Sequence, residues 1–265
     1  MIRRNFLQHS FGAALLGAAP SFAMTPTQKK TNSLVELRQY KLRNTMDGMP
    51  KRLNDFLSQA QLPALKRAGV AKLGYFGNLV GNASPYTLEL IEYKNFAQWE
   101  STWEALAADK AYAEATAAAE RSGLLRFLRL DTSLLRSFDG LPAMEMPASE
   151  PGRPPRVFEL RTYESNSHAT LGRKIGMFNN GEIAIFRKTG LNPVFFGETI
   201  IGANAPNLTY MLWYDNLAAR ETNWKKFVTH PEWEKLKATP GLSDGEVVSN
   251  ISNSLLNPMA FSPIR

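Results

Sequence analysis

The chain repeats itself, and this limits its architecture more than any other feature of the sequence. Val35-Glu36-Leu37-Arg38-Gln39-Tyr40 returns as Phe158-Glu159-Leu160-Arg161-Thr162-Tyr163 at an offset of 123. Farther on the offset is 121. Lys66-Arg67-Ala68-Gly69 matches Arg187-Lys188-Thr189-Gly190, Pro85 matches Pro206, and Tyr93-Lys94-Asn95-Phe96-Ala97 matches Tyr214-Asp215-Asn216-Leu217-Ala218. Trp103 falls on Trp224, and Ser133-Leu134-Leu135 falls on Ser254-Leu255-Leu256. Self-similarity over this length means one structural unit used twice, and 265 residues accommodate two units of about 100 residues each.

Each unit reads strand, helix, strand, strand, helix, strand. Residues 35–42 alternate apolar and polar with the period of a strand. Leu53, Phe56, Leu57, Ala60 and Ala64 then share one helical face, Gly69 is placed to end that helix, and Pro63 is placed to kink it. Two β-rich runs, 73–80 and 86–93, flank Gly81-Asn82-Ala83-Ser84-Pro85, whose composition predicts a hairpin turn. Asn95 can cap a second helix bearing Trp99, Trp103 and Leu106, and a last strand is expected within 124–135. Between the copies, residues 139–156 hold Pro142, Pro147, Pro151, Pro154 and Pro155 and are expected to be extended surface linker.

This order is the split β-α-β arrangement of ferredoxin-like domains, an α+β class in which one sheet face per copy needs cover. The E-L-R-x-Y opening strand, the helix ending in K-R-x-G or R-K-x-G, and the Asn-Phe/Leu-Ala helix start resemble the NIPSNAP family. The resemblance spans residues 34–138 and 157–265. It implies tandem ferredoxin-like domains that join as a dimeric α/β-barrel-type structure within one chain. The superfamily includes monooxygenases, isomerases and haem-handling proteins, and NIPSNAP relatives are associated with protein interaction and trafficking.

The N-terminus carries an address. Arg3-Arg4-Asn5-Phe6-Leu7-Gln8 resembles the twin-arginine export motif, and the apolar run 11–19 is shorter than the roughly 20 residues that span a bilayer. Ser21 and Ala23 suit a signal peptidase, so residues 1–23 are expected to be removed, leaving a periplasmic or secreted protein that begins near Met24 and has no membrane span. Without Arg3 and Arg4 the 31 basic residues become 29, against 24 acidic, a net charge of +5. These charges are interspersed rather than striped with aromatics, which argues against a nucleic-acid partner. The absence of cysteine excludes disulfides, thiolate metal sites and a cysteine nucleophile.

The strongest site candidates lie on the repeated opening strand. Glu36, Arg38 and Tyr40 share one face of it, as do Glu159, Arg161 and Tyr163 in the second copy. Phe158 and Leu160 make a natural helix-packing face, so the polar sets are expected to face the barrel interior. There they either pair with each other and fix register, or contact a ligand, with a glutamate as general base and an arginine stabilising negative charge. His230-Pro231 reads as a helix cap and His168 lies in a polar loop. No metal site is expected, no cofactor is evident, and haem remains open through the superfamily. Tyr210, Trp213 and Tyr214 read as core aromatics. Phosphate-binding glycine loops and a G-x-S-x-G elbow are missing. Two functional readings stand: a lumen that binds or converts a small molecule, and a non-catalytic interaction module, either of them open to homo-oligomerisation. Replacing Arg3 and Arg4 with lysine is expected to abolish export, measured as the periplasmic fraction of the protein; unchanged export would contradict the twin-arginine assignment.

Overall fold

A computed structural model describes residues 31–81, 85–148 and 152–265, and the export signal read at residues 1–23 lies outside them. The first repeat opens with β1 (Leu34–Lys41), followed by α1 (Met49–Phe56) and α2 (Leu62–Arg67), which are joined by a π-helical turn over Leu57–Gln61. Next come β2 (Leu73–Val80), β3 (Tyr86–Tyr93), α3 (Phe96–Ala108), α4 (Lys110–Arg121) and β4 (Arg129–Ser137). The Asn95 side chain caps α3 by accepting from the Gln98 backbone at 2.9 Å, as its position in the sequence suggested. The last strand starts later than expected, because residues 124–128 form a connection with exposed Leu124 and Leu125.

The second repeat copies this plan. It comprises β5 (Val157–Glu164), α5 (His168–Met177), a π-turn over Phe178–Glu182, α6 (Ile183–Thr189), β6 (Asn192–Ile201), β7 (Asn207–Tyr214), α7 (Leu217–Val228), α8 (Pro231–Lys237), α9 (Asp244–Val247) and β8 (Asn250–Pro258). The π-turn recurs in the copy that has Ala184 where the first has Pro63, so proline is not its cause. In both copies it turns a polar side chain, Gln61 or Glu182, into the buried layer beneath the helices.

The eight strands close into one antiparallel barrel in the order β1-β3-β2-β8-β5-β7-β6-β4. Each copy contributes four neighbouring strands, and the joints between copies are β2 with β8 and β4 with β6. The lumen is packed with side chains from both copies, among them Val35, Leu37, Phe76, Leu90, Phe158 and Leu160. Phe76 and Phe158 meet there at 4.9 Å between ring centroids. Each copy's helices cover the outer face of its own sheet over a separate apolar cluster.

Two expectations are corrected here. The faces of the opening strands are reversed: Val35, Leu37, Phe158 and Leu160 fill the lumen, while Glu36, Arg38, Tyr40, Glu159, Arg161 and Tyr163 point outward beneath the helices. The physical reason is that both faces are buried. The lumen is walled by sheet and over its apolar part takes aliphatic and phenyl groups, whereas the helical layer supplies tryptophan, tyrosine and glutamine side chains that satisfy polar atoms. The linker, in turn, is not wholly surface chain. Its Leu141 and Met144 are buried, Glu145 N donates to Val194 O at 2.8 Å, and Met144 joins Ile264 near the C-terminus in closing the apolar end of the lumen.

Candidate functional site

Equivalent glutamates on β1 and β5 are buried in different company. Glu159 has no exposed side-chain surface, yet its carboxylate is saturated. It accepts from Arg220 Nε at 3.0 Å and Nη2 at 2.6 Å, Arg161 Nη1 at 3.0 Å, Tyr214 Oη at 3.0 Å, Trp224 Nε1 at 2.9 Å and Asn253 Nδ2 at 3.0 Å. Burial pushes this carboxyl up, but Arg220, Arg161, Asn253 and Trp224 together hold it at about 2.

Glu36 is 4% exposed and lacks most of that shell. Its hydrogen bond from Tyr93 Oη, at 2.9 Å, matches the Tyr214 bond of the second copy. The offset of 121 puts Trp99 where the second copy has Arg220, and Thr132 where it has Asn253, so the guanidinium and the amide that clamp Glu159 have no counterparts here. Burial accordingly raises the Glu36 pKa although Arg38, the Tyr93 hydroxyl and the Trp99 indole all act against the rise, and Glu89 adds to it. The space left open is a cavity of about 580 Å³ under α3, lined by Glu36, Arg38, Trp99, Trp103 and Thr132 with Glu100 and Glu104 at its rim.

Arg38 provides the cationic wall of this cavity. Its guanidinium lies 4.6 Å from the Trp103 ring centroid and 3.7 Å from the Glu89 carboxylate. Burial opposes its charge, but Glu89, Tyr40 and Glu36 more than offset that and keep it protonated. Its Nε and Nη1 are buried without a hydrogen-bond acceptor among the described residues. Tyr40 turns instead to Glu89, donating at 2.8 Å, and Gln61 Nε2 reaches both Glu89 oxygens at 2.7 and 2.8 Å.

The six residues singled out from sequence therefore form two outward clusters on opposite strands, not one lumen set. Glu36 and Arg38 line the open cavity; Tyr40 belongs to the Glu89 network; Glu159, Arg161 and Tyr163 sit in the closed counterpart, where Arg161 Nη2 donates to Tyr163 Oη at 3.2 Å. Sequence reading missed Glu89, Gln61, Trp99 and Arg220. Glu89 shares its strand with Glu92 and carries no distinguishing signal in the sequence, whereas Trp99 against Arg220 was detectable as a mismatch within the repeat. Tyr210 and Tyr214 are fully buried core residues, and Trp213 packs on the lumen cluster, as their positions implied. His230 caps α8, its Nδ1 accepting from Glu232 N at 3.2 Å, and His168 is exposed at the start of α5. Neither lines the cavity, so it offers no imidazole to a haem iron, and no metal-binding group of acidic, histidine or cysteine residues occurs among the described residues.

A sequence model of the NIPSNAP family matches residues 35–135 and again 158–263. The chain belongs to the NIPSNAP family. The solved structures similar to this NIPSNAP protein include one from Fusobacterium nucleatum named a "putative monooxygenase", with TM-score 0.55 and 7% identity over 86% of this chain and 93% of that one. A second of that name, from Lactobacillus acidophilus, has TM-score 0.54 and 11% identity over 86% and 94%. A NIPSNAP-like domain protein from Burkholderia xenovorans is 22% identical over 41% of this chain and 89% of its own, with TM-score 0.37. No curated protein matches the sequence. At these identities the longer alignments establish the shared barrel fold alone.

The two glutamates of this NIPSNAP chain are expected to respond oppositely to neutralisation. Because the folded pKa of Glu159 is depressed, its stabilisation is complete above about pH 4.5 and lost as pH falls toward 2, a contribution of about 3 kcal/mol. Glu159→Gln leaves Arg161 and Arg220 without their anion and should cost about 3–5 kcal/mol at pH 7. The raised pKa of Glu36 has the reverse sign, its stabilisation present below 4.5 and lost as pH rises through the folded value, so Glu36→Gln should leave stability at pH 7 unchanged or higher. Urea unfolding of both variants at pH 7 checks the contrast, and equal losses would refute it.

Proposed function

We propose that this NIPSNAP chain is an exported protein that binds a small organic molecule in the first repeat's cavity and acts on it by proton transfer through Glu36. The observation that carries the reading is the difference between two equivalent carboxyls: Glu159 is saturated by six donor atoms, whereas Glu36, at the same strand position, faces an open cavity. A buried carboxyl whose pKa burial raises, set beside a cavity, is suited to take up and release a proton.

The lining defines the ligand class. Trp99 and Trp103 present indole surface to a planar, partly apolar body. Arg38 suits an oxygen that becomes negative when Glu36 removes a proton, as an enol or phenol does. Glu100 and Glu104 at the rim disfavour molecules with a second anionic group at the far end. In this assignment Glu36 is the general base, Arg38 stabilises the oxyanion, and the second repeat's cluster serves stability. Export by the twin-arginine route, to the periplasm or beyond it, belongs to the same proposal and is supported by the pattern of Arg3, Arg4, Phe6 and Leu7.

The second repeat supplies the means of closing the site. Trp99→Arg together with Thr132→Asn installs the equivalents of Arg220 and Asn253 around Glu36. The double variant is expected to be more stable by about 1–3 kcal/mol, the range for hydrogen bonds to a charged group. It should also lose any small molecule that native mass spectrometry detects on the wild-type protein purified from its host. Retention of the same compound by the double variant, or a wild-type protein that carries none and binds no phenolic or enolic probe, would overturn the assignment.

A further inference from the structure

The barrel lumen is not filled along its whole length. At the ends where β1 and β5 finish, its inward side chains change from aliphatic to hydroxyl and amide groups. Gln39 follows Leu37 on β1, Thr162 follows Leu160 on β5, and Ser133, Thr209 and Ser252 face the same space from β4, β7 and β8. They surround a cavity of about 230 Å³. A second cavity, of about 140 Å³, shares Gln39, Leu160, Thr162 and Ser252 with the first. The two lie on the inner face of the sheet and are separate from the groove under α3, which only Thr132 also borders.

The chemistry of this mouth is neutral. Its lining charges, Lys41 and Asp131, lie 3.5 Å apart; Arg129 adds a second cation 3.2 Å from Asp131, and Glu164, which accepts from Asn204, balances it. Lys41 Nζ also donates to Gln39 Oε1 at 2.6 Å, which orients the amide. The Thr162 and Thr209 hydroxyls lie 2.8 Å apart, and Thr199 Oγ1 donates to Asn207 Oδ1 at 2.6 Å. Each hydroxyl retains further hydrogen-bonding capacity after these contacts. The floor, by contrast, is Leu37 and Leu160. An array of fixed neutral donors and acceptors over an apolar floor complements a molecule with hydroxyl edges and a C–H face, and gives no charge for an ion to pair with.

We infer that the polar end of the lumen is a second binding site, for a small uncharged polyhydroxy compound such as a monosaccharide or cyclic polyol. The ligand's C–H face rests on Leu37 and Leu160, and its hydroxyls exchange hydrogen bonds with Gln39, Thr162, Thr209 and Ser252. This site is independent of Glu36.

Saturation-transfer NMR of the full chain tests the inference with glucose and myo-inositol as probes, and with glucose 6-phosphate and glucosamine as charged counterparts. The two neutral probes should receive saturation and compete with each other, and the charged ones should bind more weakly. Thr162→Val and Ser252→Ala should each weaken binding about tenfold, the effect of losing one hydrogen bond. Thermal unfolding confirms that each variant is folded, and Ser133→Ala replaces either that is not. Trp99→Arg, which alters the other cavity, should leave the neutral probes bound. No saturation of either neutral probe, meaning that the mouth holds water only, would overturn the inference. So would binding that the hydroxyl deletions leave unchanged, stronger binding of a charged counterpart, or loss of binding in Trp99→Arg, which would place the probes under α3.

Discussion

A four-stranded sheet with helices on one side still has a second face and two edges to satisfy, and in this chain one association meets all three demands. Pairing β2 with β8 and β4 with β6 removes the open edges, and rolling the two sheets together buries their inner faces on each other. Either repeat alone would expose Val35, Leu37, Phe76 and Leu90 or Phe158, Leu160, Phe195 and Met211 to water, a large apolar patch. The linker and the C-terminal residues complete the closure. Arg156 donates to the Ala148 and Arg265 carbonyl oxygens, tying the two together beside the apolar end of the lumen.

The division of side chains between the two layers follows from that closure. Aliphatic and phenyl groups of both copies interdigitate in the lumen, and the Glu-x-Arg-x-Tyr sets lie between sheet and helices. There, indoles, tyrosine hydroxyls and the polar residue of each π-turn provide partners. The second copy adds a buried Lys174, held 3.2 Å from Glu182 and 5.2 Å from the Phe178 ring centroid, where the first copy has Leu53. The same fold thus carries two different electrostatic solutions in equivalent places. One joins its charges into a closed network; the other leaves a carboxyl and a guanidinium beside open space.

Much of this was legible in the amino-acid order. The repeated E-L-R-x-Y strand, the Asn95 cap and the paired Trp103 and Trp224 specify two copies of one β-α-β-β-α-β unit, and their joining into a barrel follows from the uncovered faces; the turn read at residues 82–84 lies outside the described residues. Which side of the opening strand faces inward was not legible. Alternation separates Leu37 from Arg38 but does not say whether the lumen or the helix layer is drier, and Phe158 and Leu160 suit either. Glu89 and Gln61 were hidden by distance in sequence, since they reach the site from β3 and from a π-turn. The distinction that matters most, Trp99 against Arg220, was present in the repeat alignment. It acquires meaning only when both residues are seen to approach the equivalent glutamates.

The account rests on Glu36 and Glu159 being chemically different despite equivalent positions. Carbon-13 NMR of the side-chain carboxyls, titrated from pH 2 to pH 8 and assigned with Glu36→Gln and Glu159→Gln, measures that difference directly. Glu36 should titrate above 4.5 and Glu159 near 2. Coincident titration of the two below 4.5 would mean that Glu36 is as fully paired as its counterpart, and would contradict an open, proton-exchanging site in the first repeat.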